Sequence, residues 1–223
     1  MSKLLNQLTS LPYFTAQAVM QLSDNTPKSV LVMLSRLVKQ NKIIRLKKGY
    51  YQTYEFYLIH HRELYFKNLI SNIIQPYSYL SKEYVLQQNQ VLTEVTHPVT
   101  AVTSKNTQSI NNPIAIFDYF HLQENLYDGY KITYHHNIAC AKANISKALF
   151  DYLYFRSVPD LLLKTSSLIE ELRLNLENFT VLDWKLFEKY VIQADSKKMS
   201  AILNNIKKHL YPKGTGEKYY SGA

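Results

Sequence analysis

The sequence predicts an α+β chain, with an N-terminal winged helix-turn-helix followed by a mixed α/β domain whose C-terminal part is helical. Three observations predict it. Residues 14–51 read as helix, tight turn, longer helix and basic two-stranded ribbon. Between residues 76 and 140, short runs of apolar and β-branched residues alternate with turn signals. Beyond Pro159 the apolar spacing is helical. The expected boundaries are a first domain over 1–62, a connector over 63–75, a second domain over 76–212 and a flexible tail over 213–223.

In the first domain, Leu4, Leu5 and Leu8 suggest a short helix over 2–9, ended by Pro12. Thr15 is placed to cap a second helix running to Leu22. Ser23-Asp24-Asn25 is turn chemistry, and Thr26-Pro27 is a strong helix start, with proline at the first helical position. The helix from Pro27 to about Gln40 carries an apolar stripe, Val30, Leu31, Leu34, Leu37 and Val38, expected to face the core. Its other side presents Lys28, Ser29, Val32, Ser35, Arg36 and Lys39. Residues 41–46 and 50–53 read as strands joined by Lys47-Lys48-Gly49, where glycine allows a positive φ. A short basic hairpin after such a helix is a wing, and the combination suits phosphate and base-edge contacts in DNA. The residues expected to make them are Lys28, Ser29, Arg36, Lys39, Lys42, Arg45, Lys47 and Lys48.

Further on, residues 54–75 read as a helix or connector. Pro76 to Leu80 leads into a helix expected to be capped by Ser81. Strands are expected over 99–103, 114–120, 130–134 and 137–140, with Asp128-Gly129 as a turn. Asn144 or Ser146 opens a helix to Phe155. Three more are expected, over 160–172, 183–193 and 196–210, with Asp183 and Ser196 as caps.

Charge supports a polyanionic partner for the first domain. The chain carries a formal +9, and residues 1–62 hold nine Lys and Arg against two Asp and Glu, a net +7. The single cysteine, Cys140, lies in an apolar run and reads as a buried structural thiol. No apolar run approaches a membrane span and no secretory leader is visible, so a cytoplasmic location without membrane contact is expected. With 5 glycines and no phosphate-loop, dinucleotide, nucleophile-elbow or zincin motif, neither an enzyme nor a cofactor is expected. Adjacent histidines at 60–61 lack a supporting Cys or carboxylate cluster, so no metal site is expected, and His135-His136 beside Asp128 reads as surface histidines at a strand end rather than an acid–base site. Lys147 and Asp151 are four apart on one helical face, as an ordinary ion pair or as part of an interaction surface.

The order of these pieces resembles the AbiEi family of antitoxins and transcriptional regulators, from type IV (abortive-infection) toxin–antitoxin systems. The N-terminal likeness is carried by the run from Leu37 to Tyr51, with Asn41 where a glycine is common. The C-terminal likeness is carried by Pro76 to Ser81, Tyr84-Val85-Leu86, Ile138-Ala139 and Lys147 to Tyr154, with Val85 for the usual alanine and Ser146 for the usual acidic residue. The resemblance implies cooperative binding to inverted repeats of double-stranded DNA in the chain's own promoter, by a protein that is a monomer or weak dimer in solution. It also implies antagonism of a nucleotidyltransferase-like toxin by the C-terminal domain without a stable complex, with Lys147 and Asp151 as its candidate antitoxin surface. A winged-helix module that neutralises its partner by direct complex formation, or a general winged-helix regulator, is the alternative.

Overall fold

The computed structural model describes residues 7–94, 98–165 and 167–210. Most of the helix expected over 2–9, and the expected tail, lie outside the described residues. The chain is a mixed α and β structure with a three-stranded and a six-stranded sheet.

The first unit runs β1 (Phe14–Thr15), α1 (Ala16–Gln21), α2 (Pro27–Lys39), β2 (Ile43–Lys47) and β3 (Tyr50–Thr53). Both helices start where the capping chemistry demands. The Thr15 hydroxyl accepts from the Ala18 amide and the Thr26 hydroxyl from the Ser29 amide, contacts worth about 1 kcal/mol each. Asn41 takes φ +54° to turn the chain out of α2, and Gly49 takes φ +79° in the hairpin turn. The strand order is β1-β3-β2. β1 has two residues and so carries no periodic signal of its own. A small core of Phe14, Val19, Val30, Leu34, Leu37 and Ile43 holds the unit together. Leu31, expected in that core, is 50% exposed, because the core receives only the narrower arc of α2 formed by Val30, Leu34 and Leu37.

The hairpin is buried on two sides. Ile43 and Tyr51 belong to the small core, whereas Ile44 and Leu46 belong to the main core of the chain. Successive strand residues point to opposite faces, so one hairpin is shared by two cores. Asn112 fastens it further by donating from Nδ2 to the Leu46 carbonyl at 3.0 Å. α3 (Tyr54–His60) follows directly, capped by Thr53. Of the two readings of 54–75, helix or connector, the helix holds, and its second half is a core element. α4 (Phe66–Ile74) buries Phe66, Leu69, Ile70, Ile73 and Ile74, together with the polar Asn68, Ser71 and Asn72.

The main sheet has the order β6-β7-β5-β4-β9-β8. Its strands are β4 (Ser78–Leu80), β5 (Val99–Thr103), β6 (Gln108–Asn111), β7 (Ile116–His121), β8 (Tyr130–His135) and β9 (Ile138–Ala143). β4 pairs antiparallel with β5 and parallel with β9. It stands near the centre of the sheet although three residues gave no strand signal, and α5 (Lys82–Gln88) follows it. α6 (Ile145–Phe155) starts at Asn144, whose side chain accepts from the Lys147 amide. The helical remainder is α7 (Asp160–Thr165), α8 (Leu168–Glu171), α9 (Val181–Ala194) and α10 (Lys197–Leu210). The single helix expected over 160–172 is thus two short ones. α9 is capped by Thr180, with Asp183 closing a capping box from the third position rather than capping the helix itself.

The two halves also meet through histidines. Tyr65 Oη lies 3.3 Å from His60 Nδ1 and 3.2 Å from His136 Nε2. Its ring stacks on His135 at 4.2 Å, and Phe56 packs against both His60 and His136. The groups facing His60 are therefore Tyr65, His136, Phe56 and Glu63. Burial, then the neighbouring His136, depress its pKa below the ordinary 6.5, while Glu63 opposes them. The neutral ring is favoured in the fold, so this contribution is complete above about pH 6.5 and is lost as pH falls through the folded pKa. The denaturant midpoint should fall between about pH 7.5 and about pH 5.5, and His60→Gln should flatten that part of the profile. An unchanged slope in the variant would show that His60 is not its source.

Candidate nucleic-acid interface

α2 offers its uncovered side to solvent. Lys28, Ser29, Val32, Ser35, Arg36 and Lys39 are exposed there, and on the hairpin side Lys42, Arg45 and Lys48 are exposed too. Two shallow grooves flank the helix. One, of 650 Å³, runs between the α1–α2 turn and α2 and is lined by Asn25, Lys28, Ser29, Val32, Arg36 and Gln40. The other, of 370 Å³, lies between α2 and the hairpin, with Leu31, Ser35, Arg45, Lys48 and Tyr51 in its walls. Neither is lined by an Asp or Glu. A convex helix edged by two basic grooves is the shape and charge that a duplex backbone and groove complement. The half-exposed Leu31 and Val32 add apolar atoms of the kind that touch thymine methyl groups.

Seven of the eight residues expected to contact DNA are exposed on this side. Lys47 is the exception. Its Nζ donates to the Ile74 carbonyl at 2.6 Å and lies 4.0 Å from the Tyr50 ring centroid. Partial burial lowers its pKa. The cause is a break in the pleat: β2 is irregular between Arg45 and Lys47, which turns Lys47 toward α4 while Arg45 and Lys48 stay outside. Lys47 joins the hairpin to the second half and is not free to meet a phosphate.

Lys147 and Asp151 also depart from expectation. They form no surface, for both side chains are fully buried and paired at 3.0 Å. Asp151 Oδ2 accepts from Ser81 Oγ at 2.7 Å and from Tyr79 Oη at 3.0 Å, and its Oδ1 is held by the ammonium. Lys147 Nζ donates to the Leu126 carbonyl at 2.7 Å. Burial pushes the Asp151 carboxyl up, opposed by Lys147 and by both hydroxyls. Tyr79 is raised well above its ordinary value, first by burial and then by the Asp151 charge. Ser81 does not cap α5 with its side chain, because that hydroxyl is committed to Asp151. Gly129 completes the enclosure. It has φ +76°, and a Cβ there would meet Tyr190 Oη at 2.5 Å and Lys147 Cγ at 2.9 Å. Tyr79 and Ser81 lie seventy residues or more from Asp151, so no local pattern flagged them.

Lys82 was likewise not expected inside. It has φ +57°, is nearly buried, and places Nζ 3.2 Å from the centroid of Phe120 and 4.0 Å from Glu83. Cys140 is fully buried in β9, and burial lifts its thiol to about 11, a state in which the nucleophilic thiolate is scarce. Among the described residues no group of three or more His, Cys, Asp or Glu is arranged to hold a metal, and no helix is long and apolar enough to cross a membrane.

No family model matches the chain, and no curated protein matches it either.

Removing one member of the buried pair strands the other's charge, which costs about 3–5 kcal/mol. Lys147→Ala and Asp151→Ala should each lower the unfolding free energy by that amount in chemical denaturation. The double variant Lys147→Met with Asp151→Leu should recover much of it. Losses below about 1 kcal/mol in the single variants would place the pair in contact with water.

Proposed function

We propose that the chain is a winged helix-turn-helix repressor of double-stranded DNA, with α2 as the reading helix and the β2–β3 hairpin as the wing. The observation that carries this reading is the exposure of Lys28, Ser29, Arg36 and Lys39 of α2 together with Lys42, Arg45 and Lys48 of the hairpin, around two grooves that no Asp or Glu lines. Ser29 stands in the first turn of α2, where short polar side chains reach base edges, and the longer cations further along reach phosphates. Together with the sequence resemblance, this supports an antitoxin of the type IV class that represses its own operon, is located in the cytoplasm, and opposes a nucleotidyltransferase-like toxin through its second half. In that half Lys147 and Asp151 act by holding α6 against β4, not by touching a partner.

Electrophoretic shifts with the chain's own upstream region test the repressor claim. Affinity should fall with salt at a log–log slope near −0.9 per phosphate neutralised. Arg45→Ala and Lys48→Ala should each weaken binding to every sequence and reduce the slope by about 1. Arg36→Ala should cost about 1–3 kcal/mol and change which sequence is preferred. Lys47→Ala should leave the slope unchanged. Equal affinity for the upstream region and random duplex would refute a specific repressor.

A further inference from the structure

A groove of 440 Å³ lies between the first unit and the main sheet, within the size range of small-molecule sites, about 300–1,000 Å³. Five tyrosines wall it: Tyr13 and Tyr50 from the first unit, and Tyr77, Tyr127 and Tyr130 from the second half. Tyr13 and Tyr50 are stacked at 5.7 Å, and Tyr127 meets Tyr130 edge-on at 5.5 Å. Among the described residues no Asp, Glu, Lys or Arg lines this groove, and it shares no lining residue with the two grooves beside α2.

Two residues give the groove the features of a built site. Tyr77 takes φ +60° and is 73% exposed. A bulky side chain rarely adopts that conformation. Two hydroxyls hold it there by donating to its carbonyl, Tyr127 Oη at 2.6 Å and Thr103 Oγ1 at 3.0 Å. Strain that the surroundings over-determine in this way is typical of ligand clamps. Asn72 is more than nine-tenths buried and lines the groove. Its Nδ2 donates to the Asn68 carbonyl at 3.0 Å and to Asn68 Oδ1 at 2.9 Å. A carbonyl can only accept, which fixes the Asn72 amide that way round. Asn72 Oδ1 is left as an acceptor with no partner among the described residues.

Tyrosine walls suit a planar ring, and the open Asn72 acceptor requires an N–H on the edge of that ring. Charge at the rim decides what the ring carries. Lys47 Nζ already lies 4.0 Å from the Tyr50 ring centroid, and Lys105 Nζ lies 5.7 Å from that of Tyr77. A cationic ligand would be repelled by both. An anionic group is matched by Lys105, which is exposed and forms no ion pair among the described residues. We infer that the groove binds a free adenine nucleotide, with the base stacked on Tyr77, its amine donating to Asn72 Oδ1 and its phosphate at Lys105. Adenine is the base that presents an amine and no carbonyl, so it leaves no acceptor oxygen unpaired between tyrosine rings. Both halves of the chain supply walls, and the bound nucleotide joins them. The site does not depend on DNA binding.

Isothermal titration of the full chain with adenosine 5′-monophosphate, without DNA, tests the proposal. Binding should saturate at one nucleotide per chain. Purine riboside 5′-monophosphate, which keeps ring and phosphate but has no N–H on the base, should bind about tenfold more weakly. Ribose 5-phosphate and tetramethylammonium should not bind. Tyr77→Gly removes the ring at an exposed position and relieves the positive φ. It should weaken binding about fivefold or more, with an unchanged circular dichroism spectrum. Lys105→Ala should weaken the monophosphate and leave adenosine unchanged. Asn72→Leu should bring the adenine and purine nucleotides to equal affinity, a change that general damage to the fold would not produce. Absence of saturable binding, tighter binding of guanosine 5′-monophosphate or tetramethylammonium, or an unchanged affinity in Tyr77→Gly would overturn the inference.

Discussion

The second half of the molecule is organised around one carboxylate that has no access to water. Asp151 carries its charge into the space between α6 and the sheet, where an unpaired anion would cost several kcal/mol. Lys147, one helical turn earlier, pairs with it, and Tyr79 and Ser81, on and beside β4, donate to it from a distant part of the chain. Those contacts set the distance between α6 and β4. Through Lys147 they also fix the Leu126 carbonyl, and with it the approach to the Gly129 turn and β8. β4 is only three residues long, and these bonds, with its pairing to β5 and β9, anchor it near the sheet centre.

A second constraint joins the halves. The β2–β3 hairpin is held on both faces, since Ile43 serves one core and Ile44 and Leu46 the other, while Arg45 stays exposed. In the proposed reading the hairpin is the wing, and this sharing gives it a fixed orientation relative to the main sheet. Its outer rim, with Arg45 and Lys48, remains available, while Lys47 is drawn across to α4. The histidine cluster around Tyr65 adds a joint between the connector helices and the β8–β9 turn. The proposed reading surface and the main sheet belong to one cross-braced framework.

The exposed part of the candidate site was legible in the sequence because exposure on a helix follows from period and charge. Lys28, Ser29, Arg36 and Lys39 fall opposite the apolar stripe of α2, and seven of the eight expected contact residues do face solvent. The failures came where a neighbour from elsewhere in the chain decides burial. Lys147 and Asp151 have the spacing of a surface ion pair, and nothing nearby in sequence announces that Tyr79 and Ser81 will close over them. Lys47 reads like Lys48, yet a strand irregularity and the Ile74 carbonyl turn it inward. Leu31 looks like a core residue until the arc covered by the small core is known.

By itself the sequence determined the elements whose information is local: the Thr15 and Thr26 helix starts, the positive φ at Gly49 and the burial of Cys140. Backbone geometry and capping are settled within a few residues, so a few residues suffice to read them. Only the tertiary structure decided that three residues form a central strand, that Lys82 is nearly buried, and that Lys147 and Asp151 are interior. Each of these depends on which distant segment supplies a hydrogen bond or excludes water, and that choice is made by packing between parts of the chain seventy residues apart.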